Sequence, residues 1–403
     1  MKISLIRKID KFLGVPLCLI FTVIDKIVLL FQNPQKSAAG PKNILFIELS
    51  EMGSAIIAYS ALQKAKEFFP GANLFFLIFE ENKESVHLTG MIPRENVLTI
   101  RSKTFLKFAF DALSVLWKVR RLKMDATIDL ELFSRATALI SYITGAKRRV
   151  GFYKFHMEGL SRGELITHKV SYNIYQHMAI NFLNLVYTLN APLAESPKLK
   201  RYVADKPTVP LLESTEEEKI AIFEKLKSLQ PKLKKTDRLI VFNPHAGVLP
   251  VRAWPLDKYV ELARELVTDE TIYIVVMGAD DASKEAKIIK EAIGEHCLDI
   301  TGTTTLRQII DLFNICDVLA TNDSGPAHFA SCTLIKNFVF FGPETPLLYA
   351  PLGRYSLSFF SNYSCSPCLS AFNHRSTPCK DPLCLKNITV NTVYDKIIKA
   401  IGK

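Results

Sequence analysis

Two short segments carry side chains and backbone suited to gripping phosphate. The first is Thr321-Asn322-Asp323-Ser324-Gly325-Pro326-Ala327-His328, which follows an apolar run and precedes a helical pattern. A helix beginning at Ser324 and Gly325 offers backbone N–H groups and the positive end of its dipole, a combination that holds a diphosphate. Gly325 admits a ligand close to the backbone, and Asp323 can accept from ribose or sugar hydroxyls. His328 lies four residues beyond Ser324 on the same helical face, within reach of a phosphate oxygen. By spacing alone, a capped helix with a buried histidine fits equally well.

The second segment is Asn243-Pro244-His245-Ala246-Gly247, followed by Arg252-Ala253-Trp254-Pro255. It too is a strand end leading into a helix. Arg252 there can neutralise a leaving diphosphate, the main electrostatic demand of nucleotide-sugar cleavage. A lone loop arginine is ordinarily just solvated; the strand-end position singles this one out.

A third cluster is thiol-rich. Cys365-Ser366-Pro367-Cys368 is followed by Cys379 and Cys384. Four thiolates this close suit a structural zinc site or an iron–sulfur cluster. A disulfide pair and free thiols are the alternatives, the disulfide disfavoured by an expected cytoplasmic location. Cys18, Cys297, Cys316 and Cys332 read as ordinary core or interface cysteines.

Strand ends need sheets, and the surrounding sequence supplies them. Asn43 to Leu49 is a buried-strand pattern, Ala55 to Phe69 a helix closed by Pro70-Gly71, and Asn73 to Ile78 another strand. Ala126 to Leu130 and Arg149 to Phe152 fit the same sheet. A second series follows a proline-rich connection at Ala191 to Val209. It has strands at Leu239 to Asn243, Ile272 to Met277 (ending at Gly278), Val318 to Thr321 and Asn337 to Phe341. Its helices run Pro255 to Leu266, Leu306 to Asn314 and Pro326 to Cys332. Alternation of this kind makes parallel sheets. Two such halves predict a central cleft, since open α/β sheets bind ligands beyond the carboxyl ends of their strands. Neither half carries GxGxxG or GxxxxGK[ST], which disfavours dinucleotide dehydrogenases and P-loop NTPases.

The chain has 403 residues, enough for two domains, and a formal net charge of +11. From Arg94 to Lys169 there are 15 Lys or Arg against 7 Asp or Glu, a surplus of 8. Such a patch attracts phosphate on nucleic acid, lipid headgroups or a phosphorylated glycan, or is simply a solvated basic face. No helix-turn-helix spacing, zinc finger or aromatic RNP motif accompanies it, so nucleic acid is not an expected partner. Before it, Leu17 to Phe31 is the most apolar stretch of the chain. Thr22, Asp25 and Lys26 form one narrow polar strip on it, and Lys2, Arg7, Lys8 and Lys11 precede it. Charges near its middle disfavour a spanning helix, and no small-x-small cleavage site follows. The expectation is a helix lying in a membrane interface on the cytoplasmic face, with packing on the protein's own surface as the alternative.

Together the motifs resemble glycosyltransferase family 9, which contains the ADP-heptose:lipopolysaccharide heptosyltransferases. Asn322 to His328 resembles its nDSGpmH segment, Phe341-Gly342-Pro343-Glu344-Thr345-Pro346 its FGPtdP and Tyr349-Ala350-Pro351-Leu352-Gly353 its wgPyG. His245-Ala246-Gly247 through Pro255 is similar to HpGa…KRWP, Thr301 to Leu306 to tGktsL, and Ile47 to Gly53 to rlSslGD. The resemblance runs from about Asn43 to the end. It implies the GT-B architecture: two α/β Rossmann-like domains facing a cleft, here preceded by an apolar helix at 1–40. An acceptor domain would span 41–205 and a nucleotide-sugar donor domain 206–403, with a Cys-rich loop at 363–386. Donor-binding positions carried over are Gly53, Ser54, His245, Gly247, Arg252, Gly278, Thr303, Thr304, Asp323, Ser324, Gly325 and His328. The implied partners are a nucleotide-sugar and an anionic glycolipid at a membrane surface. The implied mechanism is direct displacement with inversion, needing no cofactor.

One departure matters. The family's general base is the Asp after the loop glycine, and Ser54 stands there. Serine cannot take a proton at neutral pH. Glu51 is the nearest replacement carboxylate, which makes Glu51 and Arg252 the candidate catalytic pair. A nucleotide-sugar binder without turnover is the competing reading; an epimerase on the same fold gains nothing from the apolar N-terminus.

Overall fold

The computed structural model describes residues 10, 12–31, 40–102, 104–132, 134–153, 162–197, 199–200, 203–247, 249–373 and 375–403. Lys2, Arg7, Lys8, Lys11, Lys103 and most of the 32–40 linker lie outside them. The chain divides into two compact units, Met1–Pro207 and Thr208–Lys403.

Unit 1 begins with helix α1 (Gly14–Phe31). Its sheet holds β1 (Asn43–Ile47), β2 (Asn73–Phe79), β3 (Val97–Ile100), β4 (Ala126–Asp129), β5 (Arg148–Tyr153) and β6 (His168–Ser171). The spatial order is β3-β2-β1-β4-β5-β6, all neighbours parallel. Ile44 to Ile47 of β1 are completely buried, as expected of a parallel strand covered on both faces. The helix expected at Ala55 to Phe69 is two helices, α2 (Met52–Ile57) and α3 (Tyr59–Phe68), meeting at Ala58. Next come α4 (Lys83–Leu88), α5 (Phe105–Leu122), α6 (Arg135–Ile143) and α7 (Met178–Leu189).

Unit 2 repeats the plan with β7 (Arg238–Asn243), β8 (Ile272–Val276), β9 (Cys297–Asp299), β10 (Val318–Asn322), β11 (Lys336–Phe341) and β12 (Ser356–Phe360), ordered β12-β11-β10-β7-β8-β9. Its helices are α8 (Glu216–Leu229), α9 (Leu256–Leu266), α10 (Ser283–Ile293), α11 (Leu306–Ile315), α12 (Gly325–Ala330), α13 (Pro346–Tyr349), α14 (Leu383–Lys386) and α15 (Val390–Ile401). Trp254 anchors the core, buried and stacked on Phe340 with centroids 4.4 Å apart. Its indole N–H donates to the Ile388 carbonyl at 3.1 Å, tying the strand-end loop to the C-terminal helix pair.

The order of strands fixes where each unit can bind. In unit 1 the connectivity reverses between β1 and β4, and in unit 2 between β7 and β10. Loops leaving those pairs diverge, opening a crevice at their carboxyl ends.

Candidate active-site residues of the two units

Of the donor residues expected from the sequence, Arg252, Asp323, Ser324 and Gly325 meet at the β7/β10 seam of unit 2. Asn322, the last residue of β10, is wholly buried and bridges both loops. Its amide donates to the Pro244 carbonyl at 2.8 Å and its side-chain oxygen accepts from the Trp254 N–H at 2.8 Å. Asn243 reaches back from β7 to the Thr321 hydroxyl at 2.9 Å and the Ser324 hydroxyl at 3.3 Å. These bonds fix the turn that presents Asp323, Ser324 and Gly325.

Arg252 enters that turn. Its guanidinium donates to Asp323, a carboxylate only 5% exposed. A carboxylate this buried needs a counter-ion, and Arg252 provides it. The arginine keeps chemistry in reserve. Its Nε–H is buried and has no hydrogen-bond partner among the described residues. A buried N–H left unpaired is costly and marks a place for an acceptor.

The helix behind the turn is shorter than expected, since α12 ends at Ala330. Ser324 occupies its N-cap without a side-chain cap bond, because its hydroxyl donates instead to the Asn322 carbonyl at 3.1 Å. A helix of six residues offers little dipole, which leaves Arg252 as the main positive group at this turn. His328 is buried within α12.

The other predicted residues spread along the same sheet edge. His245 lies between Glu285 at 3.1 Å and Asp281 at 3.4 Å, both on the segment that follows β8. Gly247 adopts φ +58°, a left-handed turn that favours glycine. Gly278 closes β8, and a Cβ there would stand 2.5 Å from the Ala282 Cβ. Thr303 is exposed and Thr304 half-buried, beyond edge strand β9.

The reading of the sequence missed Arg375 and Glu344. Both lie close enough to Arg252 to act on its charge, and Arg375 adopts φ +51° in the loop between Cys368 and Cys379. Arg375 donates to the Tyr349 hydroxyl at 3.3 Å and stands 3.9 Å from buried Glu344.

Those cysteines are all free, and among the described residues no group of three or more His, Cys, Asp or Glu could hold a metal ion. The expected zinc or iron–sulfur set of Cys365, Cys368, Cys379 and Cys384 is thus not assembled. Cys384 is buried and turned toward Gly342, where an added Cβ would lie 2.9 Å from its sulfur. Burial, with smaller contributions from Cys368, Cys365 and Cys379, pushes its thiol pKa up. Cys365 stays exposed.

In unit 1 the β1/β4 seam carries carboxylates. Glu51 is the N-cap of α2, and the Ser54 hydroxyl donates to its carboxylate at 3.0 Å. Gly53 and Ser54 are buried. Two further carboxylates, Glu48 and Glu131, were not singled out from the sequence. Glu131 follows β4 and accepts from the Leu49 N–H at 3.0 Å and the Ser50 hydroxyl at 3.4 Å. Glu48 is buried, accepts from the Glu51 N–H at 3.3 Å, and is hydrogen-bonded to Glu131. Burial first, then neighbouring carboxylates, raise the pKa of both: Glu48 well above the usual range and Glu131 to about 7. The pair holds a proton that ordinary carboxylates would lose, and together they fix the loop bearing Glu51.

The model of glycosyltransferase family 9 (heptosyltransferase) matches residues 113–376. The chain belongs to glycosyltransferase family 9. It is 26% identical over 316 residues to lipooligosaccharide heptosyltransferase 2 of Haemophilus influenzae, covering 77% of this chain and 86% of that one. A 120-residue stretch is 31% identical to lipopolysaccharide heptosyltransferase 2 of Escherichia coli, covering 29% of this chain and 34% of that one. The solved E. coli ADP-heptose lipopolysaccharide heptosyltransferase II superposes with a TM-score of 0.68 at 20% identity, over 89% of this chain and 98% of that one. The fold is GT-B, and the protein is a glycosyltransferase. As a member of family 9 it departs at the expected base position, with Ser54 bonded to Glu51.

Proposed function

We propose that this glycosyltransferase moves heptose from ADP-heptose to the saccharide of a lipopolysaccharide- or lipooligosaccharide-type acceptor, with inversion at the anomeric carbon. The observation that carries the reading is Arg252: a cation held beside the β7/β10 seam with a buried, unpaired N–H. Loss of ADP leaves a diphosphate whose charge must be met as the glycosidic bond breaks, and such a donor meets it. Arg375 adds a second guanidinium nearby. On this reading unit 2 takes the donor and unit 1 the acceptor. Glu51 removes the proton from the attacking hydroxyl, and Ser54 orients its carboxylate. No metal or cofactor is required, because the leaving group is stabilised by fixed cations. The lipid-borne acceptor places the work at the cytoplasmic face of a membrane.

A binder without turnover was suggested by the absence of Asp at position 54. The Ser54–Glu51 hydrogen bond argues for turnover, since it supplies a carboxylate on the same turn. The test is incubation with ADP-heptose and a purified heptose-accepting glycolipid. ADP release coupled to a one-heptose mass increase, with the anomeric configuration read by NMR, supports the proposal. Donor binding without ADP release overturns it.

A further inference from the structure

Helix α1 is inside out for a helix on a water-soluble surface. Its polar Thr22 and Asp25, rather than its largest apolar side chains, face the protein. Asp10 accepts from the first backbone N–H groups of α6, at 3.0 Å from Arg135 and 2.9 Å from Ala136. The Thr22 hydroxyl donates to the Cys18 carbonyl at 2.6 Å and accepts from the Glu164 N–H at 2.9 Å. Asp25 pairs with Arg149 at 3.4 Å. The seat is close-fitting: a Cβ on Gly14 would lie 2.7 Å from the Arg135 Cβ, and one on Gly163 would lie 2.4 Å from the Thr22 oxygen. With Thr22 and Asp25 engaged inward, Leu19, Ile20, Val23, Ile27 and Leu30 are all exposed, as is Lys26.

A second exposed apolar row lies on α5. Phe110, Leu113 and Trp117 recur at helical spacing and point outward, among exposed Lys107, Lys118 and Arg121. The Arg121 guanidinium lies 4.6 Å from the Trp117 ring centroid. Both helices flank the same end of α6. Tyr142 of α6 packs against Phe21 of α1 with centroids 5.6 Å apart, while the adjacent Ile143 carbonyl accepts from Arg120 of α5 at 2.8 Å.

We propose that the outward faces of α1 and α5 form one surface that docks in the headgroup region of an anionic lipid bilayer, with α1 lying in the membrane plane. Contiguous exposed apolar side chains mark an interaction surface. Apolar residues with an interfacial tryptophan and flanking cations are the composition that anionic lipid binds. The cations also choose between occupants: a second copy would bring Lys107, Lys118 and Arg121 against their own kind, whereas anionic headgroups neutralise them. No described helix is long and apolar enough to cross a membrane, and Thr22 and Asp25 of α1 are already bonded to the protein. The inference stands independently of which sugar is transferred.

The test uses the full chain and vesicles of phosphatidylcholine alone or with phosphatidylglycerol. The chain has two tryptophans; Trp254 is 1% exposed and Trp117 62%, so a change in emission reports the α5 surface. Expected results are co-sedimentation with the phosphatidylglycerol vesicles, a blue shift on binding, and quenching by brominated lipid. Phe110→Glu with Leu113→Glu should weaken binding roughly tenfold or more. Lys118→Gln with Arg121→Gln should weaken it by a similar factor and reduce its salt dependence. Retained circular dichroism identifies the folded variants, and the emission and quenching of the unsubstituted chain decide the matter without them. No binding to charged vesicles, unchanged Trp117 emission, or a dimer dispersed by the Phe110 and Leu113 changes in the absence of vesicle binding would each overturn the proposal.

Discussion

Ser54 donates its hydroxyl to the Glu51 carboxylate at 3.0 Å, three residues away on the first turn of α2. The bond joins the residue that replaces the expected aspartate to the nearest carboxylate that can do its work. Glu51→Gln should lower kcat by roughly a hundredfold or more while leaving the Kd for ADP within about twofold. Ser54→Asp in that background should recover part of the lost turnover. Steady-state kinetics with calorimetric ADP binding checks both; near wild-type turnover in Glu51→Gln removes Glu51 as the base.

The Glu48–Glu131 pair makes stability depend on pH. A carboxyl whose pKa rises from 4.5 unfolded to about 7 folded binds its proton more tightly in the native state. Its stabilising contribution is present below 4.5 and is lost as pH climbs toward 7. Glu131→Gln keeps the shape without the charge. It should therefore raise the unfolding free energy from urea melts at pH 8 by on the order of 1–2 kcal/mol relative to the native chain, and change little at pH 5. A larger gain at pH 5 than at pH 8 would contradict the assignment.

Removing one partner of a buried ion pair costs more than the pair contributes. Asp323→Asn leaves Arg252 without its counter-ion, and a loss of about 3–5 kcal/mol in unfolding free energy is expected. Arg252→Gln should in addition abolish the rise in Tm that ADP gives the native chain. Denaturant melts and thermal shifts, each with and without ADP, separate the two effects.

Gly278 is held by crowding at the end of β8. Gly278→Ala places a methyl 2.5 Å from the Ala282 Cβ, and about 1–3 kcal/mol of destabilisation should follow. Ala282→Gly in the same chain should return much of it. Paired thermal melts measure the coupling.

The strands readable from the sequence are the interior ones. β1, β2, β4 and β5 in unit 1, and β7, β8, β10 and β11 in unit 2, are covered on both faces and written as apolar runs. The strands not seen, β3, β6, β9 and β12, are the four sheet edges. They are short or partly polar, as in His168–Ser171 and Cys297–Asp299, because an edge is half-exposed and must not recruit another chain. The donor seam was legible because its residues are consecutive: Asn322 to His328 reads as one word. The carboxyl pair was not. Glu131 meets the β1 loop across 82 positions of sequence, and only the β1–β4 adjacency joins them. The ion pair between Arg252 and Asp323 was hidden the same way, 71 positions apart.

The burial of the core cysteines has a practical corollary. Desolvation pushes the thiols of Cys297 and Cys332 up to about 12, that of Cys18 to about 11, and that of Cys316 well above the usual thiol range. At neutral pH these sulfurs are inert to electrophiles, which attack the thiolate. Maleimide chemistry on the folded chain is thereby steered to the stretch from Cys365 to Cys379, beside Arg375. A fluorophore or spin probe attached there reports on the surroundings of Arg375 and Arg252 without any cysteine having to be engineered away.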